Sequence, residues 1–172
     1  MRALQVQDHS QKPVFLDRSI PTLAAKQILI RTAACALNFA DLLMIRGTYQ
    51  ETPALPFTLG MEVAGEVVDL GAEVTDFQIG DRVAGFAGSG GLAEYCPIEA
   101  TRCLKLTDGM PFDTAASALI SYGTSHLALT HRAKLTSDDT LLVLGAGGGV
   151  GLTAVEIGAA LGARVIAVAR GP

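Results

Sequence analysis

Residues 141–170 read LLVLGAGGGVGLTAVEIGAALGARVIAVAR, and this stretch decides the fold. The segment opens on a short, unbroken apolar run, Thr140 to Leu144, of the kind that forms a strand buried on both faces of a parallel sheet. Seven residues follow, Gly145-Ala146-Gly147-Gly148-Gly149-Val150-Gly151, five of them glycine. From Gly149 to Leu161 the apolar residues Val150, Ala154, Ile157 and Leu161 recur at spacings of three and four, which predicts a helix. Gly162 is placed to end it, because glycine tolerates the left-handed conformation of a C-terminal cap. Arg164 to Ala169 is a second apolar strand. The unit is therefore β-α-β, with parallel strands and a right-handed crossover.

A glycine-rich turn between a buried strand and a helix has a chemical use. It lets backbone N–H groups approach a pyrophosphate closely, and the helix N-terminus adds unpaired donors and partial positive charge. The usual G-x-G-x-x-G is altered here. Ala146 stands at the first glycine position, and Gly148 and Gly151 fill the other two. The candidate phosphate-binding residues are Gly145, Gly147, Gly148, Gly149, Val150 and Gly151. Dinucleotide folds that take NAD place an acidic residue about 20 positions beyond the glycines, on the ribose hydroxyl. Arg170 stands there instead. It suits the 2′-phosphate of NADPH, or else is a solvated surface residue.

Upstream the texture is different. Residues 2–8 and 27–36 (QILIRTAACA) alternate with a period near two and predict strands. So do 61–70 (MEVAGEVVDL), with Gly65 at a bulge or a close approach, and 82–86, 92–95 and 101–105. Residues 38–45 predict a short helix ended by Gly47, and 52–56 a loop. Residues 112–119 and 122–131 predict helices, and 134–139 a polar linker. A β-rich first part with frequent turns predicts a barrel or sandwich.

Composition narrows the function. Of 172 residues, 49% are apolar, and the net charge of −4 speaks against nucleic acid, whose phosphates need clustered Lys and Arg. Nothing at the N-terminus resembles a signal peptide, and no stretch is long and apolar enough to span a membrane. Cys35, Cys96 and Cys103 have neither disulfide-framework nor zinc spacing, as expected for thiols in a cytoplasmic protein.

Several short motifs appear in series: Asn38-Phe39-Ala40-Asp41, Arg46-Gly47-Thr48-Tyr49, Gly60 to Val67, Gly80-Asp81-Arg82-Val83, Gly91 to Tyr95, Tyr122-Gly123-Thr124 and Gly145 to Gly151. Together they resemble the medium-chain dehydrogenase/reductase superfamily, in its zinc-free NADPH:quinone oxidoreductase branch. The resemblance implies an α/β chain: a GroES-like β-barrel catalytic domain over residues 1–118, then from residue 119 the first β-α-β of a Rossmann domain. It also implies that family members continue for about as long again, since a full dinucleotide fold has about six strands. On that view the two apolar strands of residues 140–169 lack neighbours, and a second copy is an expected partner.

The same resemblance bears on chemistry. Zinc-dependent relatives carry Cys where this sequence has Asn38, and Gly-His-Glu where it has Gly60-Met61-Glu62. It therefore implies no metal, with His9, His126 and His131 at no ligand-like spacing. Asn38 and Tyr49 resemble positions lining the nicotinamide and substrate cleft, and they are the candidate catalytic residues. Donors there would stabilise charge growing on an acceptor oxygen. Asn38 also suits a helix N-cap, and Tyr49 suits ordinary packing. Tyr122 and Thr124 resemble cofactor-contacting positions, or else pack a helix. Asp41 and Arg46 read as a pair with each other or with the loop, and Glu62 and Glu66 as structural. The implied reaction is hydride transfer from NADPH to a quinone or an α,β-unsaturated carbonyl. An enoyl-thioester reductase and a non-catalytic NADPH-binding relative are the alternatives, and the 172-residue chain by itself is expected to be inactive.

Overall fold

In the computed structural model, which describes residues Met1–Gly171, the chain divides into two units, Met1–Ser117 and Ala118 onward.

The first unit is built on strands β1 (Arg2–Val6), β2 (Val14–Asp17) and β3 (Gln27–Ala36), helix α1 (Phe39–Ile45), and strands β4 (Phe57–Thr58), β5 (Glu62–Leu70), β6 (Arg82–Phe86), β7 (Tyr95–Glu99) and β8 (Cys103–Lys105), with a short helix α2 (Phe112–Ala116) at its end. Five strands form an antiparallel sheet in the order β7-β3-β5-β6-β8, and three form another in the order β2-β1-β4. The sheets are stitched where Ala3 bridges Ala93 and the Leu4 N–H donates to the Leu92 carbonyl at 2.8 Å. Alternation in β3 and β5 turns Ile28, Ile30, Val63 and Val67 into one core with Val83, Cys96 and Ile98. Burying each such aliphatic side chain stabilises by about 1.5–3 kcal/mol relative to leaving it in water.

Gly65 is both a bulge neighbour and a close approach. The β3–β5 register shifts between Thr32 and Ala34, opposite Gly65 and Ala64. A Cβ on Gly65 would stand 2.1 Å from the Arg31 carbonyl oxygen, so only glycine lets the strands meet there.

The second unit holds helix α3 (Ala118–His126), strand β9 (Thr140–Leu144), helix α4 (Gly149–Ala160) and strand β10 (Arg164–Val168). The strands β9 and β10 pair in parallel, Thr140 with Arg164 through Leu144 with Val168. Gly162 closes α4 at φ +82, its N–H donating to the Ala159 carbonyl at 3.0 Å. Gly158 lets α4 lie close on the sheet, for a Cβ there would stand 2.6 Å from Leu141 Cδ2.

Several elements differ from expectation. Residues 92–94 make only the Ala93 bridge, and the strand is Tyr95–Glu99. Pro97 hides it, yet β7 is an edge strand, where a missing N–H is tolerated. Residues 100–102 are a 3₁₀ turn, leaving only Cys103–Lys105 as strand. The strands β2 and β4 are too short or too weakly alternating to be read from sequence. The helix expected over 122–131 widens into a π-helix at Leu127–Arg132. There the Thr130 hydroxyl donates to the His126 carbonyl at 2.6 Å, taking the acceptor that a regular helical N–H would use. The Ala133 N–H reaches back five residues to the Ala128 carbonyl at 2.8 Å.

Candidate functional site

In the second unit, the glycine turn is built as a cradle. Gly145 holds φ +76, the left-handed conformation that the sharp turn out of β9 requires. The tight-turn glycine is thus Gly145, and Ala146, at the motif's first glycine position, is buried behind it. The N–H groups of Gly145 and Ala146 both donate to the Val168 carbonyl at 2.9 Å, fastening the turn to the end of β10. A Cβ on Gly151 would stand 2.2 Å from the Gly145 carbonyl oxygen, so the helix meets the turn only because residue 151 is glycine. A Cβ on Gly149 would meet nothing within 4 Å, and one on Gly147 only Ala169 at 3.7 Å. That side of the turn is open to a ligand.

Gly148 is the N-cap of α4 and offers no side chain to cap it. The first-turn N–H groups of a helix have no intrahelical partner, so those of Gly149, Val150 and Gly151 are suited to bind an anion. These residues fit a dinucleotide's pyrophosphate. Arg170 is exposed, two residues beyond β10, and follows Ala169, which touches the Gly147 position.

Tyr122 and Thr124 lie on the exposed side of α3. The Tyr122 hydroxyl donates to the Glu156 carboxylate on α4. That bond is the main cause raising the Tyr122 pKa above its usual value, since it holds the phenolic proton. No interaction of this kind ties the Thr124 hydroxyl among the described residues.

In the first unit, Asn38 is the N-cap of α1, with extended φ −117 and ψ 158. Asp41, three residues on, accepts from the Asn38 N–H at 2.8 Å and from the Gly60 N–H at 3.1 Å. The pairing of Asp41 with Arg46 anticipated from sequence does not form. Asp41 is buried and spends both oxygens on backbone donors, while Arg46 is exposed. The Asn38 amide donates from Nδ2 to Glu62 Oε1 at 2.9 Å. Glu62 is 1% exposed, so Asn38 is both cap and partner of a buried carboxylate. Glu66 instead forms an exposed pair with Arg31.

Beside this cluster sits Cys35, pushed up to about 12, first by desolvation and then by Asp41 and Glu62. Tyr49 is half-buried in the loop after α1, and no hydrogen bond joins its side chain to Asn38 among the described residues. Motif reading misses the buried carboxylates, although N-x-x-D at a helix start is a capping pattern and Glu62 interrupts an apolar strand. A cavity of about 430 Å³ opens on this unit, lined in part by Arg2, Phe15, Thr32, Cys35 and Leu92 and by neither Asn38 nor Tyr49.

Among the described residues no three His, Cys, Asp or Glu gather closely enough to hold a metal ion. The three cysteines are free. His126 and His131 meet edge to face at 6.0 Å between ring centres, a neighbourhood that the π-helix creates. Among the described residues no helix is long and apolar enough to cross a membrane.

Comparison with known proteins places this arrangement. Residues 24–108 match the alcohol dehydrogenase GroES-like domain. Over 163 residues the chain is 41% identical to quinone oxidoreductase-like protein 2 homolog of Nematostella vectensis, covering 92% of this chain and 45% of that protein. The chain belongs to the medium-chain dehydrogenase/reductase superfamily. Among solved members, the quinone oxidoreductase from Thermus thermophilus, described also in its complex with NADPH, superposes with a TM-score of 0.89 at 32% identity, over 100% of this chain and 54% of that one. The CurK enoyl reductase superposes with a TM-score of 0.88 at 28% identity, over 98% and 54%. This medium-chain dehydrogenase/reductase chain spans about half the length of the curated relatives it matches.

Proposed function

We propose that this chain belongs to an NADPH-dependent oxidoreductase that delivers hydride to quinones or α,β-unsaturated carbonyls without a metal. The observation that carries the reading is the open glycine cradle of residues 145–151 at the start of α4, with Arg170 just beyond β10. Bound there, the cofactor would supply the hydride. The N–H groups of Gly149, Val150 and Gly151 would hold its pyrophosphate, and Arg170 would neutralise the 2′-phosphate. Tyr122 and Thr124 are proposed cofactor contacts, with Tyr122 shared with Glu156.

Asn38 and Tyr49 are the proposed catalytic donors. An amide nitrogen carries two hydrogens, and Glu62 takes one from Asn38. The second remains for an acceptor oxygen, and the buried carboxylate fixes the direction in which it points. The Tyr49 hydroxyl would donate to the same developing charge. Met61 and Asn38, at the positions where zinc-dependent relatives carry ligands, support a reaction driven by hydrogen-bond donors.

Enoyl-thioester reduction is a second reading, favoured by the likeness to the CurK enoyl reductase. The test, made on the full-length protein, is NADPH oxidation measured with a simple quinone, an enone and an enoyl thioester, together with elemental analysis. Turnover with the first two and no stoichiometric metal is expected. NADH preferred over NADPH, or bound zinc at one per chain, overturns the proposal.

A further inference from the structure

Between α3 and α4 lies a set of polar contacts that motif reading does not reach. Ser125 is 2% exposed and Thr153 5%, in a helix pair whose other residues are largely Ala, Gly, Leu and Val. The Ser125 hydroxyl donates to the Val150 carbonyl at 2.8 Å and lies 2.8 Å from the Thr153 hydroxyl. The Thr153 hydroxyl reaches the Ser121 carbonyl and the Val150 carbonyl, each at 3.0 Å. Two hydroxyls carry two protons, so two of these four contacts are satisfied at a time. One assignment uses both protons across the helices: Ser125 donates to the backbone of α4, and Thr153 donates to the backbone of α3. Three residues before Ser125 on α3 and three after Thr153 on α4, Tyr122 and Glu156 make a second polar tie.

An alanine pair would bury the same seam without direction. Hydroxyl-to-carbonyl bonds are directional, and they fix both the rotation and the axial slide of α4 against α3. What they grip is specific. The carbonyl that both hydroxyls approach, within 2.8 and 3.0 Å, belongs to Val150, inside the first turn of α4 that follows the glycine cradle.

We propose that Ser125 and Thr153 are positioning residues that set the phosphate-binding turn, acting through the Val150 carbonyl. This inference rests on the cofactor reading above. It deepens that reading by assigning affinity for the cofactor's phosphates to a buried hydroxyl clasp that never touches the cofactor. A preorganised donor set binds better than one that must be ordered on binding, and residues behind the contact shell supply that order.

The experiment compares the unmodified chain with Ser125→Ala, Thr153→Val and Thr153→Ser. NADPH affinity is measured by fluorescence titration, with inorganic pyrophosphate and adenosine as competitors, and amide hydrogen exchange is followed at Gly149–Gly151 without ligand. Ser125→Ala and Thr153→Val should each weaken NADPH and pyrophosphate at least fivefold, leave competition by adenosine within twofold, and speed exchange at the turn. Thr153→Ser, which keeps the hydroxyl, should stay within twofold throughout. A general loss of packing would weaken adenosine as well and would not be rescued by Thr153→Ser, which overturns the proposal. Unchanged NADPH affinity and exchange in the two hydroxyl-free variants also overturn it. An unmodified chain that binds neither NADPH nor pyrophosphate overturns the cofactor reading and this inference with it. Should either hydroxyl-free variant fail to fold, the other and the exchange measurement decide.

Discussion

A Cβ on Gly151 would stand 2.2 Å from the carbonyl oxygen of Gly145. The obstacle is backbone, so a methyl group there cannot be accommodated by turning a side chain aside. Overpacking of this kind costs about 1–3 kcal/mol, and the segment that yields is the turn itself. Gly151→Ala is expected to keep the parallel β9–β10 pair while NADPH affinity falls tenfold or more. Fluorescence titration beside a circular dichroism spectrum checks this. Wild-type affinity in a folded variant would mean that the turn does not hold the pyrophosphate.

Arg170 is the residue proposed to set the choice between the two nicotinamide cofactors. A charge-assisted contact to phosphate is worth about 1.5–3 kcal/mol, and Arg170 stands exposed where the 2′-phosphate is expected. Arg170→Ala should therefore weaken NADPH by about tenfold or more and leave NADH nearly unchanged. Parallel titrations that gave an unaltered ratio would make Arg170 an ordinary surface residue.

The parts of the fold that are legible in the sequence follow one-dimensional rules. The strand at 27–36 is set by alternation, that at 82–86 by the Gly80-Asp81 turn before it, that at 140–144 by its unbroken apolar run, and the helix from Gly149 by a 3.6-residue period and the glycines at its ends. The strand at 95–99 is hidden because tolerance of Pro97 depends on being at a sheet edge, which is a property of the assembled sheet. The π-helix is hidden because its i→i−5 bonds leave no mark in the apolar spacing of residues 127–132. The same division holds at the site. The glycine turn is local and readable. The Asn38–Glu62 contact joins residues 24 apart and the Ser125–Thr153 contact residues 28 apart, and no local pattern announces either.

The thiols Cys96 and Cys103 are held protonated. Burial pushes each from 9.0 up to about 12. In the folded chain their thiolate fraction at pH 8 is far below that of an ordinary cysteine, and the thiolate is the reactive form. Iodoacetamide at pH 8 should leave both unmodified in the native chain and label both in urea. The sign of the pH effect follows. The unfolded thiol ionises near 9 and the folded one near 12, so the stability held by the neutral buried form is fully present below pH 9. It is lost as pH rises from 9 toward 12. Urea midpoints measured at pH 8 and pH 10.5 should fall in that order. Rapid native alkylation of Cys96 would contradict its burial.

Asn38 and Glu62 supply the last prediction. The Asn38 amide is the donor that Glu62, 1% exposed, receives at 2.9 Å. Asn38→Asp keeps the shape and replaces that donor by a second carboxylate. Two like charges at hydrogen-bond distance in a buried place cannot both ionise without a large cost, and one proton is retained between them. At pH 7 the variant should lose about 3 kcal/mol or more, the scale of breaking a buried charged pair. Because the folded pair holds its proton to higher pH than the unfolded chain does, the penalty must shrink as pH falls. Asn38→Asp should thus regain stability between pH 7 and pH 4, where the unmodified chain does not. Asn38→Ala separates the two roles of the residue. It removes the donor without adding charge, so its cost should be smaller, about 1–3 kcal/mol, and should recover less on acidification than that of Asn38→Asp. Urea unfolding of the three chains at pH 7 and pH 4.5 decides the matter. If Asn38→Asp and Asn38→Ala lost the same stability at both pH values, the Asn38–Glu62 contact would carry no charge-dependent interaction, and the orienting role given to Glu62 would fall.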